Sequence, residues 1–181
     1  MTTYDHTRRA CYTGYVTQAI VNNLAPLLFI VFQTRYQLPL EMLGRLVLLN
    51  FATQLVTDIV AVKFVDRTGY RIPLVLAHVL SAVGLVLLAV APELSPSPYL
   101  GLCVAIVVYA VGGGLLEVLV SPVVDALPSP QEGKAAAMSL LHSFYCWGQV
   151  AVVAGSTLLL ALAVGGDGGG GVEVVPADPL A

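Results

Sequence analysis

The amino-acid sequence predicts an all-α membrane protein with five transmembrane helices, for two reasons. Of its 181 residues, 57% are hydrophobic and only 10% are charged, and the mean hydropathy is +0.86. A soluble domain carries roughly a quarter charged residues, so this charge content is too low for a water-exposed surface. A transmembrane helix needs about 20 mainly apolar residues, and the chain contains five charge-poor runs of that length, separated by short polar turns.

The first helix follows the basic pair Arg8 and Arg9 and begins at about Cys11. A basic segment before an apolar run is also found in signal peptides, whose apolar core has about 7 to 15 residues. This run is longer, contains Gln18 and Asn22, and is followed by further apolar runs. We therefore expect an uncleaved first helix.

The remaining four helices are predicted from runs with few charged residues. The second run contains Arg45, Asp58 and Lys63, and the fourth contains only Glu117. The third and fifth runs contain no Asp, Glu, Lys or Arg, although the third includes His78. The predicted helices span about residues 11–36, 40–64, 72–91, 99–124 and 135–164, between a cytoplasmic N-terminal segment at 1–10 and a flexible glycine-rich tail at 165–181.

The distribution of basic residues predicts the orientation, because cytoplasmic loops carry the excess of Lys and Arg. With the N-terminus in the cytoplasm, six of the eight basic residues fall on the cytoplasmic side, and only Arg35 and Arg45 fall on the other. These six are Arg8, Arg9, Lys63, Arg67, Arg71 and Lys134. We expect a multi-pass protein of the cell membrane with a cytoplasmic N-terminus.

Several functional classes are disfavoured by composition. The net charge of −3 gives no reason to expect nucleic-acid binding. The three cysteines, Cys11, Cys103 and Cys146, are too far apart to form a metal motif or a disulfide framework. Ser139 or Ser143 with His142 would make a poor nucleophile–base pair on one helix, so we expect neither an enzyme nor a cofactor.

Polar residues recur at helical spacing within the apolar runs, where residues three and four positions apart share a face. The stripes are Tyr15, Gln18 and Asn22 with Asn23 adjacent; Asn50, Gln54 and Asp58; Gly113, Gly114, Glu117 and Ser121; and Ser139, His142, Tyr145 and Gln149. Each polar residue alone could serve only as a hydrogen bond between helices, contributing on the order of 0.6 kcal/mol. Stripes on four of the helices together predict a polar cavity.

Glu117 is the most informative of these residues, because an ionisable side chain within a membrane helix is costly and is usually functional. Burial raises the free energy of the charged carboxylate, so a site facing water and protein in turn can bind and release a proton. A structural glutamic acid, protonated and hydrogen-bonded, is the alternative. Asp58 either pairs with Lys63 or another basic residue of the following loop, or contacts substrate. The glycines Gly112 to Gly114 predict a close helix contact.

The segment from Val62 to Arg71, between the second and third helices, resembles the loop signature of the major facilitator superfamily. That pattern is Gly, three residues, Asp, Arg, one residue, Gly, one residue and a basic residue. Asp66, Arg67, Gly69 and Arg71 match it, whereas Val62 stands at the first glycine. The resemblance implies that these four matching residues form a latch, which holds two six-helix halves together when the transporter is open outward.

Other motifs resemble the fucose permease branch of this superfamily, the sugar–proton symporters. They are Asn22-Asn23-Leu24, Gly112 to Glu117 followed by Ser121-Pro122, and Ser143 to Gly148. The resemblance covers about residues 16–150, which correspond to the first half of such a transporter. Where the branch has an acidic residue on the first helix, this chain has Pro26, and Tyr145 and Ser121 each replace an asparagine.

The resemblance implies most of an N-terminal six-helix facilitator bundle and proton-coupled, alternating-access transport of a small, sugar-like solute. Glu117 would carry the proton. The substrate path would be lined by Asn22, Asn23, His142, Tyr145 and Gln149. Alternating access needs a second half, so we expect a truncated N-terminal half or a partner polypeptide. The alternative is a membrane interaction protein that transports nothing and oligomerises through Gly112 to Gly114.

Overall fold

A computed structural model describes the backbone of residues 2–128 and 131–166, and the side chains of residues 4–65, 67–128 and 133–162. The helices are α1 (Thr2–Leu27), α2 (Phe29–Tyr36), α3 (Leu40–Thr68), α4 (Arg71–Leu94), α5 (Pro98–Ala126) and α6 (Gln131–Gly166). Within these ranges there is no strand, and the prediction of an all-α membrane protein is confirmed. Five helical spans are long and apolar enough to cross a membrane: Tyr4–Tyr36, Leu40–Val65, Arg71–Leu94, Pro98–Ala126 and Gly133–Leu162.

The first span is broken into α1 and α2 at Leu28, whereas the sequence predicted one helix over 11–36. Pro26 has no N–H to donate to the carbonyl of Asn22, and its ring disfavours a regular turn there. The N–H of Leu28 lies 3.2 Å from the carbonyl oxygen of Leu24 and 3.1 Å from that of Ala25. The first span is therefore a bent helix.

Helix α1 also begins at Thr2, within the segment predicted to precede the helix. Asp5 lies in the first turn, where a negative charge is favoured by the helix dipole, and it accepts a hydrogen bond of 2.6 Å from Arg8 one turn later. Local charge pairing thus extends the helix beyond its apolar part. At the other terminus, residues 167–181 of the predicted tail lie outside the described residues.

Helix α5 is the centre of the bundle, and glycines bring α4 against it. A Cβ atom built at Gly112 would lie 2.6 Å from the backbone nitrogen of Ser81, and one at Gly84 would collide with the backbone of Tyr109. Farther along, a Cβ at Gly101 would collide with the carbonyl of Ala91. Small residues permit this close approach, which lets van der Waals packing hold membrane helices together.

The three consecutive glycines of α5 contact three different helices, because successive residues of a helix point about 100° apart. Gly112 faces α4, Gly113 faces Gln18 of α1 and Gln54 of α3, and Gly114 faces Asp58 of α3. All three glycines are buried. The helices of this chain therefore occupy the surface through which the alternative hypothesis would have the protein oligomerise.

The outer surfaces of the bundle are apolar. On α4, the exposed residues Ile72, Val75, Val79, Val83 and Val86 recur three and four positions apart and form one continuous face. An exposed apolar face of this size would be unusual on a soluble monomer and suits contact with lipid.

The basic residues are concentrated at one end of the bundle, because successive spans alternate in direction. This end contains the start of α1, the turn between α3 and α4, and the turn between α5 and α6, where Lys134 lies 4.0 Å from Asp125. At the opposite end, Arg35 of α2 forms an ion pair with Glu93 of α4. The cytoplasmic location of the basic end remains a prediction.

Candidate functional site

A polar pocket of about 200 Å³ lies where α1, α5 and α6 meet. Its lining combines one carboxyl group with amide, phenol and imidazole side chains. The residues are Tyr15, Gln18, Asn22, Glu117, His142 and Tyr145. The structure thus brings together four of the residues predicted as proton site or substrate path, namely Glu117, Asn22, His142 and Tyr145.

Glu117 accepts a hydrogen bond in this pocket from a buried amide. Nε2 of Gln18 lies 3.1 Å from Oε2 of Glu117, and Gln18 is only 2% exposed. The carboxyl side chain itself is exposed, because α1 and α6 border it on one side and none of the described residues covers the other. In the isolated chain Glu117 is therefore accessible from the open side of the pocket and is not enclosed.

Asn22 connects three spans through its side-chain amide. Its Oδ1 accepts a 2.7 Å hydrogen bond from Nε2 of Gln54 on α3, and its Nδ2 donates to the Tyr145 hydroxyl on α6 over 3.4 Å. The amide is held from both sides. It therefore has a defined orientation at the pocket wall.

Tyr15 is the aromatic centre of the pocket. Its hydroxyl shares a 2.6 Å hydrogen bond with Oγ of Ser121 on α5. Its ring packs edge-on against His142 at 5.6 Å and against Tyr145 at 6.2 Å between ring centroids. Edge-to-face packing of this kind stabilises aromatic pairs and fixes the position of the α6 side chains.

Sequence reasoning placed Tyr15, Gln18 and Gln54 in polar stripes but did not include them among the site residues. The signal was present, since Tyr15 and Gln18 lie seven and four positions before Asn22, on the same helical face. The contact of Gln54 with Asn22 requires the packing of α3 against α1, which the sequence does not specify.

Two residues predicted for the substrate path lie elsewhere. The amide nitrogen of Asn23 donates to the carbonyl of Ala19, 2.8 Å away in the same helix. Adjacent helical residues point in different directions, so Asn22 and Asn23 do not both face the pocket. Gln149 is exposed on α6 and does not line the pocket.

The predicted latch has a clear local role only at Gly69. This residue follows α3 with φ of 71°, a region that favours glycine, and its N–H donates over 2.8 Å to the Val65 carbonyl. Arg67 and Arg71 are exposed, and in the described part of the chain neither forms an ion pair. The side chain of Asp66 lies outside the described residues.

Asp58 does not pair with Lys63 among the described side chains. Its Oδ1 atom is buried against α5, where a Cβ atom built at Gly114 would lie 3.2 Å from it. On α6, the Ser143 hydroxyl donates to the Ser139 carbonyl at 2.9 Å.

Comparisons with protein-family models, with curated proteins and with solved structures each returned no match. The relationship to the major facilitator superfamily therefore remains a resemblance based on the motifs described above.

Proposed function

We propose that the chain takes part in proton-coupled transport of a small, sugar-like solute, as most of one half of an alternating-access transporter. The observation that supports this most strongly is Glu117, a carboxyl group in a polar pocket within a membrane-spanning bundle. Intramembrane ionisable residues are retained in proteins chiefly where they bind ions or move protons.

The surroundings of Glu117 suit reversible protonation. The Gln18 amide donates a hydrogen bond to a carboxyl oxygen, and it can do so whether the carboxyl group is ionised or protonated. In the described part of the chain, no lysine or arginine pairs with Glu117 and holds it in the charged form. This arrangement is what the proposed proton-carrying role of Glu117 requires.

The other pocket residues suit a solute rich in hydroxyl groups. Asn22, Tyr145 and His142 offer hydrogen-bond donors and acceptors beside the Tyr15 ring. Small-molecule sites usually enclose about 300–1,000 Å³, so a pocket of about 200 Å³ would form one wall of a site. We propose that a second transporter half, in the same or another polypeptide, supplies the opposite wall.

The exposure of Glu117, His142 and Gln149 supports such a partner. Polar side chains within a bilayer face protein or water and not lipid. On this proposal, the second half would cover the open side of the pocket. It would also offer acidic groups to the latch residues Arg67 and Arg71 on the cytoplasmic face in one of the two conformations.

The test is uptake of radiolabelled sugars by proteoliposomes containing the protein with its natural partner half, driven by a pH gradient. We expect Glu117→Gln to abolish accumulation against a gradient but to retain exchange of labelled for unlabelled solute. Glu41→Gln is the matched control, because Glu41 is exposed and, among the described residues, its ion-pair partner is Arg45, 2.6 Å away. Unchanged accumulation by Glu117→Gln would refute the assigned role, and absence of uptake by the unmodified protein would refute transport.

A further inference from the structure

We propose that Asp58 is a second proton-carrying residue that exchanges a proton with Glu117 across Gly114. This inference rests on the proposed function and extends it to a residue on a different span. Asp58 lies on α3 and Glu117 on α5, one helical turn beyond Gly114. Asp58 contacts α5 at Gly114, and Glu117 follows three positions later, so the two carboxyl groups lie on neighbouring turns of the same helix surface.

Gly114 brings Asp58 onto the surface of α5. A Cβ atom at this position would lie 3.1 Å from the Thr57 side chain, and 3.2 Å both from Oδ1 of Asp58 and from the Gln54 carbonyl oxygen. A side chain at this position would push these neighbours outward by a few tenths of an ångström, so glycine allows the closest packing of Asp58 against α5.

Two buried oxygen atoms pack against successive glycines of α5. Neither accepts a hydrogen bond from any of the described residues. Oδ1 of Asp58 lies at Gly114, and Oε1 of Gln18 lies 3.2 Å from a Cβ atom built at Gly113. Gln18 is 98% buried, and its nitrogen already donates to Glu117. Acceptors buried without donors are costly, and a proton on the Asp58 carboxyl group would supply the missing donor at this place.

The charged and titratable groups near this site are few. The neighbouring pocket, whose lining does not include Asp58, contains Glu117 of α5, Tyr15 of α1 and His142 of α6. Nδ1 of His78 on α4 forms a hydrogen bond with the carbonyl of Leu74. Its ring packs against Gly14, where a built Cβ atom would lie 3.7 Å away. None of these residues forms an ion pair with Asp58 among the described side chains.

The transfer step is simple and balanced. The O–H bond of the Asp58 carboxyl group breaks as an O–H bond forms on the Glu117 carboxylate, with no change of oxidation state, and Glu117 then releases its proton to water on the open side of the pocket. Asp58 becomes a carboxylate and takes up a proton from the aqueous side at the end of the cycle. Because Gln18 donates to Glu117, its amide would keep the receiving carboxyl group in place during the transfer.

Transport measurements on three variants test this relay. We expect Asp58→Asn, Glu117→Gln and the double variant each to lose accumulation by roughly 10-fold or more, whereas solute exchange stays within about 2-fold of the unmodified protein. The effects of substituting residues that act as one unit do not add up, so the double variant should lose no more accumulation than either single variant. Asp125→Asn is the matched control, because Asp125 lies outside the pocket, near Lys134.

A second measurement does not depend on transport. We expect the infrared C=O stretching band of a protonated carboxylic acid at neutral pH to weaken in Asp58→Asn but not in Asp125→Asn. An unchanged band, or full accumulation by Asp58→Asn, would overturn the relay while leaving the role of Glu117 intact. Loss of solute exchange in Asp58→Asn with a weakened band would also overturn it, because Asp58 would then be structural. If the unmodified protein moves no solute, the proposed function fails, whatever the infrared result.

Discussion

The packing of α4 on α5 leads to a quantitative prediction for Gly112→Ala. The added methyl group would lie 2.6 Å from the Ser81 nitrogen and 2.7 Å from the Ala77 carbonyl oxygen. Real Cβ atoms do not approach backbone atoms so closely, and backbone atoms cannot rotate away as a side chain can. The two helices must therefore separate.

The expected cost is about 1–3 kcal/mol of unfolding free energy, the usual range for overpacking a well-packed interface. Alanine is also favoured over glycine within a helix by about 1 kcal/mol, which partly hides this cost. Gly155→Ala is the matched control, since nothing lies within 4 Å of a Cβ atom built at Gly155 on α6. Both variants gain the same helix propensity, so their difference isolates the steric cost at Gly112.

The assay is reversible unfolding in mixed micelles of a mild detergent and dodecyl sulfate, followed by circular dichroism. Gly155→Ala should be as stable as the unmodified protein or more stable, and Gly112→Ala should be less stable than Gly155→Ala by the amount given above. Gly148→Ala should fall between them, because its Cβ atom would lie 3.0 Å from the side chain of Ala19. Equal stability of Gly112→Ala and Gly155→Ala would show that α4 and α5 are not packed through this glycine.

Three further predictions concern single contacts. Tyr15→Phe and Ser121→Ala each remove the same hydrogen bond, and a double-mutant cycle of unfolding free energies should give a coupling of roughly 0.6 kcal/mol; zero coupling would contradict the contact. Gly69→Ala should destabilise the protein by about 1–3 kcal/mol, because φ of 71° with ψ of 176° is a backbone conformation that essentially only glycine adopts, and a thermal melt measures this. Arg35→Gln should leave the melt unchanged in high salt, because its ion pair is exposed; a lowered melting temperature would contradict this.

Much of the fold follows from the sequence, because charge and apolar length determine where a chain can cross a bilayer. Four of the five spans lie close to their predicted positions, and the first differs where local effects act. Asp5 and Arg8 extend α1 at its start, and Pro26 bends it near its end. Neither effect changes the number of crossings, which depends on the apolar runs alone.

The site was less predictable, because helical spacing tells which residues share a face but not which faces meet. The spacing identified the face of α1 that carries Asn22, but it did not predict that Asn22 contacts Gln54 on α3. The distances between helices could not be predicted from the sequence either. The glycines at 112–114 indicated a close contact, yet only the packed structure distributes them among α4, α1 and α3.

The break at Leu28 has a mechanical consequence for the first span. The short segment Phe29–Tyr36 is joined to the rest by a single non-helical residue, and a gap of about 300 Å³ separates it from α4. Hydrogen bonds from the Leu28 N–H to the Leu24 carbonyl and from the Phe32 N–H to the Leu28 carbonyl continue the helical pattern through the break, and Phe32 is buried in the core. The outer end of the span is therefore anchored by its own contacts, separately from the hydrogen bond between Asn22 and Gln54.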